Sequence, residues 1–232
     1  MPSRSPPRQP RMSLVLAFDC AIAGLHVAVA RDGVCLARHR EAGRDQAATL
    51  LPAVVTALHE AGVARDTLAM IAVTVGPGSF TGVRVGLAAA RGLAAGLGVP
   101  LAGVATTRLL LAQAPSTERF VIAAIDSRLG DWFVAAQDDP HRPFVATSDD
   151  VAGRLAGRPG LIVGPQAGAL ASRLADAQAH EVDCDPMVLA ALAEAEGAET
   201  WRARNRADGL PRPLYLRGVN ITLPDGARQT VE

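Results

Sequence analysis

Apolar runs and turn signals alternate along the first part of the chain in the manner of a β-meander. Leu14 to Phe18 is a short apolar run ending in Asp19, Cys20 to Gly24 reads as a turn, and Leu25 to Ala30 resumes the run. Arg31-Asp32-Gly33 turns the chain again before Val34 to Arg38, so three short strands are predicted. From Gln46 the period changes. Ala47, Leu50, Leu51, Val54, Val55 and Leu58 recur at helical spacing up to Gly62, which predicts a helix over Gln46–Ala61 with one apolar stripe. Met70 to Val75 is a continuous apolar run of buried-strand type that leads into Gly76-Pro77-Gly78-Ser79-Phe80-Thr81-Gly82. A helix from about Val83 to Gly96, a strand over Leu101–Val104 and a helix beginning over Thr106–Ala112 follow.

The second half repeats the opening pattern. Leu14 to Asp19, a glycine turn at Gly24 and the run Leu25 to Ala30 are matched by Val121 to Asp126, Gly130 and Asp131 to Ala136. Each is strand, terminal Asp, glycine turn, strand. The repeat points to a duplicated architecture, with chance likeness of two hairpins as the alternative. Farther on, Leu161–Val163 reads as a strand entering Gly164-Pro165, Ala167–Ala179 as a helix and Pro186–Ala198 as an alanine-rich one. The expected organisation is a disordered leader over 1–12, a first lobe over 13–110, a smaller second lobe over 111–217 and a flexible polar tail over 218–232.

Composition narrows the chemistry. The 232 residues, 49% hydrophobic and 20% charged, suit a globular α/β protein with a real core. Basic and acidic groups balance at 23 each, so a direct, high-affinity grip on RNA is disfavoured for want of a basic excess. No lysine occurs, which excludes a P-loop lysine and a Schiff-base lysine. Cys20, Cys35 and Cys184 are odd in number and scattered, and the five histidines form no HxxxH or HxxH pair. Neither a zinc site nor a disulfide framework is therefore legible, and a reducing, cytoplasmic setting fits best. Met1 to Met12 is rich in Pro, Arg and Ser without an apolar centre, so it does not read as a signal peptide. No apolar run reaches ~18 residues, the length a membrane helix needs.

The most informative segment is the glycine-rich loop. Gly76 and Gly78 permit backbone angles that other residues avoid, Pro77 pre-sets a turn, and Ser79 or Thr81 can cap the helix that follows. Free N–H groups at that helix start are able to hold a phosphate or carboxylate, or simply belong to a well-capped turn. Gly82, Gly86 and Ala90 lie four apart, flanked by Val83 and Leu87, a small-residue stripe that lets another backbone approach closely.

GPGSFTGVR at 76–84 and its helix, LLPAVVTALHEAG at 50–62, LAFDCAIAGLHVAVA at 16–30, AAIDSRLGDWFVA at 123–135 and PLYLR at 213–217 together resemble the bacterial TsaB (YeaZ) family. The resemblance implies a duplicated actin-like (ASKHA, RNase H-like) two-lobe fold. It also implies a non-catalytic scaffold subunit of the machinery that makes N6-threonylcarbamoyladenosine at position 37 of tRNAs. Such a subunit pairs with the related catalytic chain TsaD, is joined by the ATPase TsaE, forms homodimers through the same helices and meets tRNA only through the complex. No intrinsic cofactor is implied, although ATP or ADP at the junction with the catalytic partner fits the scheme. Two departures stand out: Cys20-Ala21 follows Asp19 where the family reads Asp-Thr, and Gly43-Arg44-Asp45-Gln46 replaces a His-Ser pair before the first helix.

These readings fix the expected sites. The partner interface is expected at Leu50, Leu51, Val54, Leu58, Gly82, Val83, Gly86, Leu87 and Ala90, and Gly86→Leu is expected to abolish pairing while the monomer stays folded. Asp19, Gly76, Gly78, Ser79 and Arg84 are the phosphate-side candidates, each with a plainer reading beside it: Asp19 as a turn residue, Arg84 as a solvated or intramolecular cation. His59-Glu60 suits a helix end better than catalysis. Two further classes compete. An actin-like ATPase or small-molecule kinase would use Asp19, Asp126 and the loop; a peptidase would need a metal pair or activated nucleophile that the sequence lacks.

Overall fold

In a computed structural model, which describes residues 13–22, 24–43, 45–217, 219–222 and 228–231, two five-stranded sheets share one topology. The first holds β1 (Leu14–Asp19), β2 (Leu25–Arg31), β3 (Val34–Glu41), β4 (Met70–Thr74) and β5 (Leu101–Val104) in the order β3-β2-β1-β4-β5. Its β1–β2 and β2–β3 pairs are antiparallel, and β1–β4 and β4–β5 are parallel. The second holds β6 (Phe120–Asp126), β7 (Trp132–Ala136), β8 (Asp139–Ala146), β9 (Gly160–Val163) and β10 (Ala177–His180) in the order β10-β9-β6-β7-β8 with the same senses. Strand for strand this is a duplication, and both central strands, β1 and β6, end in the aspartates of the sequence repeat.

Alternation along the central strands sorts the core into three layers. Leu14, Leu16 and Phe18 of β1 face α1 (Gln46–Glu60) and α2 (Phe80–Leu97). Val15 and Ala17 point the other way, toward α6 (Pro186–Glu196) and the second lobe. On β6, Val121, Ala123 and Ile125 complete that middle layer. Phe120, Ile122 and Ala124 face α4 (Ser148–Leu155) and α5 (Ala167–Ala171). Both central strands are covered on two sides, so their sequences are apolar throughout instead of alternating.

The expected division near residue 110 separates the two sheets in sequence, but helices cross it. The short α3 (Thr106–Leu111) packs on the second sheet, whereas α6 and α7 (Ala198–Ala207) return to cover the first. Residues 210–217 also return: Leu214 N donates to Val75 O at 2.7 Å. The leader lies outside the described residues. Where a structureless tail is expected, Val219–Thr222 (β11) pairs antiparallel with Arg228–Val231 (β12).

Local differences have physical causes. The alanine-rich stretch predicted as one helix over 167–179 stops at Ala171, because 177–180 pair in parallel with β9. Sheet pairing here overrides alanine's helix propensity. β8 carries Pro140 and Pro143, which read as breakers but are tolerated on an edge strand. α2 begins at Phe80, three residues before the expected start, since Ser79 Oγ accepts from Gly82 N at 3.2 Å and caps it there.

Candidate functional site

Strand β4 delivers the glycine-rich loop to the start of α2, where the β1–β2 turn of the same chain is already seated. Ser79 N donates to Ala21 O at 2.6 Å. A Cβ on Gly78 would lie 2.1 Å from Ala21 O, and one on Gly82 1.9 Å from Cys20 O. Glycine at 78 and 82 is thus demanded by the close approach of this chain's own carbonyls. Gly76, at φ +98, carries the loop past Leu214 O, 3.1 Å from where its Cβ would be. The phosphate-side candidates Asp19, Gly76, Gly78 and Ser79 do converge at the head of α2, but Cys20 and Ala21 carbonyls fill the cradle. At the start of α2, Ser79 N is thus spent on Ala21 O and Gly82 N on Ser79 Oγ.

Asp19 is fully buried below this turn and stands opposite His26 in the β1–β2 register. Its Oδ1 accepts from Thr74 Oγ1 and from Ala21 N at 3.0 Å. Its Oδ2 lies 3.9 Å from His26 Nδ1, and neither atom has a hydrogen-bond partner among the described residues. Burial pushes the Asp19 carboxyl above the usual carboxylate range against the hydrogen bonds from Thr74 and Ala21, and burial draws the His26 imidazole down against the pull of Asp19. Burial likewise raises the thiols of Cys184, beside Asp19, and Cys20, which leaves them protonated and unreactive at neutral pH. Asp126, the counterpart in the second lobe, accepts from Arg128 N at 2.7 Å and is a turn residue.

This arrangement gives a pH-dependent result. A carboxyl whose folded pKa exceeds its ordinary 3.8 contributes most below that pH and loses its contribution as pH rises through the folded value. His26, drawn below its ordinary 6.5, works oppositely: its contribution is whole above 6.5 and is lost as pH falls below it. Asp19→Asn keeps the accepting oxygen and abolishes the buried charge. It is therefore expected to raise the melting temperature at pH 8 by roughly 2–4 °C, the shift of about 1 kcal/mol in a chain of this size. Thermal unfolding at pH 4 and pH 8 checks this, with the gain shrinking toward pH 4; a lower melting temperature than wild type at pH 8 would show that the ionised carboxylate is in use.

The expected interface residues divide by exposure. Leu50, Val54, Gly82, Val83, Gly86, Leu87 and Ala90 are buried within this chain, so the small-residue stripe serves the approach of α2 to its own β1–β2 turn. A Cβ on Gly86 would touch Cys20 Cβ at 3.4 Å and Sγ at 3.6 Å. The Gly86→Leu expectation is corrected: leucine there overpacks the core instead of testing a partner contact. Leu51 is 51% exposed and Leu58 half-buried. The outward face carries Val55, 66% exposed, with Ala88, Gly92 and Gly96 on α2, while Val85 and Ala89 are half-buried against the first core. A Cβ on Gly92 or Gly96 would meet nothing within 4 Å. Sequence reasoning did not separate the buried from the exposed side of either helix, because apolar residues occur on both faces of each. Of the replaced pair before α1, Arg44 lies outside the described residues, and Gln46 donates to Gly24 O at 3.3 Å.

Two further features were not legible. Arg84 donates from Nε to Tyr215 Oη at 2.7 Å and lies 3.6 Å over the Phe80 ring. In the cleft between the lobes, Glu196 bridges Arg108 and Arg204 beside a cavity of about 570 Å³ that His141 and Trp201 also line. Burial pushes Glu196 up, but the hydrogen bonds from the two arginines outweigh it and hold the carboxyl below its usual range. No local pattern links residues separated by 88 positions. Among the described residues no group of three or more His, Cys, Asp or Glu is placed to hold a metal, and no helix is long and apolar enough to cross a membrane.

Comparisons with known proteins agree with the duplicated fold. A family model described as TsaD: tRNA N6-adenosine threonylcarbamoyltransferase matches residues 39–194, more than half of the chain. The tRNA threonylcarbamoyladenosine biosynthesis protein TsaB of Escherichia coli K12 is 36% identical over 123 residues, 52% of this chain and 53% of that protein. The chain spans about half the length of the curated relatives it matches. A tRNA N6-adenosine threonylcarbamoyltransferase from Jannaschia sp. is 51% identical over 63 residues, 27% of this chain and 18% of that one. The structure of YeaZ from Pseudomonas aeruginosa superposes with a TM-score of 0.71 at 29% identity, covering 88% of this chain and all of that one. The two-lobed duplication is the actin-like ASKHA fold.

Proposed function

The chain belongs to the family described by the TsaD model, on its TsaB (YeaZ) branch, and from that premise we propose that it is a non-catalytic accessory subunit in tRNA threonylcarbamoyladenosine synthesis. It acts by holding a TsaD-type transferase through the outward face of α1 and α2, with a TsaE-type ATPase joining the pair. One observation supports the accessory role: the chain's own β1–β2 turn is seated against the glycine-rich loop at the head of α2, with Ala21 O accepting from Ser79 N and Cys20 O close against Gly82, where the kinase-like reading places a phosphate. Asp19, the carboxylate that an actin-like ATPase would turn toward phosphate and metal, is sealed from solvent. Any nucleotide the complex uses binds at the junction with the transferase. The tRNA is met through the complex, in keeping with a net charge of zero. Free cysteines, with Cys35 exposed, fit a reducing cytoplasmic setting.

The bare helical face supports the partner. Leu51 and Val55 on α1 and Ala88 on α2 are exposed, and Gly92 on α2 has open space that another backbone can enter. A pairing of standard size buries ~1,600 Å² in total, enough for specific association. The same face allows a homodimer that competes with the heterodimer. Size-exclusion chromatography with light scattering, on the chain alone and mixed with its cognate transferase, tests this beside an ATP-turnover assay. A stable heteromeric complex and no turnover by the chain alone are expected. A chain that ignores the transferase and hydrolyses ATP unaided would replace this reading with the kinase-like one.

A further inference from the structure

The surface around Arg84 joins a helix start to a segment 131 positions away. Phe80 lies under the guanidinium, Tyr215 accepts from its Nε, and both rings are about two-fifths exposed, with centroids 5.6 Å apart. One face and one edge of the guanidinium are thereby fixed, while its two terminal nitrogens meet no carboxylate among the described residues. Arg91, the other cation of α2, is spent on the Leu210 and Pro211 carbonyls. Tyr215 is held in place from both lobes: Leu214 N donates to Val75 O, and Arg217 pairs with Asp131 in the turn of the second-lobe hairpin.

Phe80, Arg84, Ala88 and Gly92 follow one another at four-residue spacing on α2, so this cluster and the bare helical face form one continuous surface. Arg84 is the cation that this surface offers. No acidic residue occurs in the 18 residues of α2, and Glu60 is the one acid of α1. α1 and α2 offer it no carboxylate other than Glu60, so a second copy pairing through the same helices has little to complement Arg84, whereas a chain with an exposed carboxylate is complementary.

We propose that Arg84, clamped between Phe80 and Tyr215, anchors a carboxylate presented by the transferase chain, and that residues 210–217 are therefore part of the docking surface. This rests on the accessory-subunit reading above. Pre-ordering by the two rings lowers the entropy that an exposed arginine otherwise loses on pairing. Aromatic and arginine side chains are also the types in which binding energy concentrates. The clamp further biases the shared face toward the heterodimer over the homodimer.

Isothermal titration of the full-length chain with the purified cognate transferase, at low and high salt, tests the assignment. Arg84→Gln is expected to weaken binding about tenfold or more and to flatten its salt dependence. Tyr215→Phe, which removes one hydroxyl, is expected to weaken it by a few-fold. Both variants should unfold at the wild-type temperature, since the cluster is exposed. Wild-type affinity and salt dependence in Arg84→Gln, with Val55→Asp still abolishing the complex, would overturn the clamp and leave the accessory reading standing. Absence of any wild-type complex would remove both. Loss of self-association alone in Arg84→Gln would identify a second copy as the occupant and overturn the assignment to the transferase.

Discussion

Gly82→Ala is expected to be among the most damaging single-methyl changes at the described residues. The new Cβ would stand 1.9 Å from Cys20 O and 3.3 Å from Ser79 Oγ. The obstacle is backbone, and Cys20 is fixed on both sides: Asp19 ends β1, and Ala21 O is held by Ser79 N. Relief requires the β1–β2 turn to lift off α2, which breaks that hydrogen bond and opens the layer formed by Leu16, Phe18, Leu87 and Ala90. A cost of about 3 kcal/mol or more, at or above the upper end for overpacking, corresponds to roughly 6–12 °C in melting temperature for a chain of this length. Gly92→Ala is the matched control. It lies on the same helix, is exposed and has open space around it, so alanine's better helix propensity should stabilise the monomer by up to about 1 kcal/mol. Thermal unfolding of the two variants decides the point: equal, small effects at both positions would mean that the turn does not seat on α2.

The second large effect concerns assembly. Val55→Asp is expected to abolish pairing with the transferase while the monomer folds normally. Val55 is 66% exposed on α1, and exposed substitutions of this kind usually change stability by within about 0.5 kcal/mol. At the centre of an apolar contact the same aspartate must be desolvated without a partner. A loss of about 2 kcal/mol or more, the threshold for a hot spot, is at least about thirtyfold in affinity. Light scattering on the mixture reads the outcome. Its neighbour Val54 gives the contrast, being 2% exposed; Val54→Asp should unfold the monomer instead. An intact complex with Val55→Asp would move the interface away from α1.

Much of this architecture was legible because β1 and β6 are apolar throughout and end in aspartate before a glycine turn, so the duplication shows in the sequence itself. The glycine-rich loop was equally visible as a close-approach motif. What approaches it was not, since glycine reports only that space is needed. Cys20 and Ala21 are some 57 residues from Gly78 in the chain, and no spacing rule connects them. Which faces of α1 and α2 are buried was not legible for a related reason: Leu51 and Val55 look as apolar as Leu50 and Val54. Which pair is buried depends on the sheet below. β8 was hidden by its prolines, and the returns of α6, α7 and residues 210–217 to the first lobe follow from tertiary packing alone.

The central claim is that this chain works through the outer face of α1 and α2 and not through a nucleotide site at Asp19. The most direct measurement is the rate at which the cognate transferase, with its ATPase partner, forms threonylcarbamoyladenosine on tRNA when supplied with wild-type chain, Asp19→Asn or Val55→Asp. The account predicts the wild-type rate with Asp19→Asn and almost none with Val55→Asp. A dead Asp19→Asn beside a fully active Val55→Asp would contradict it.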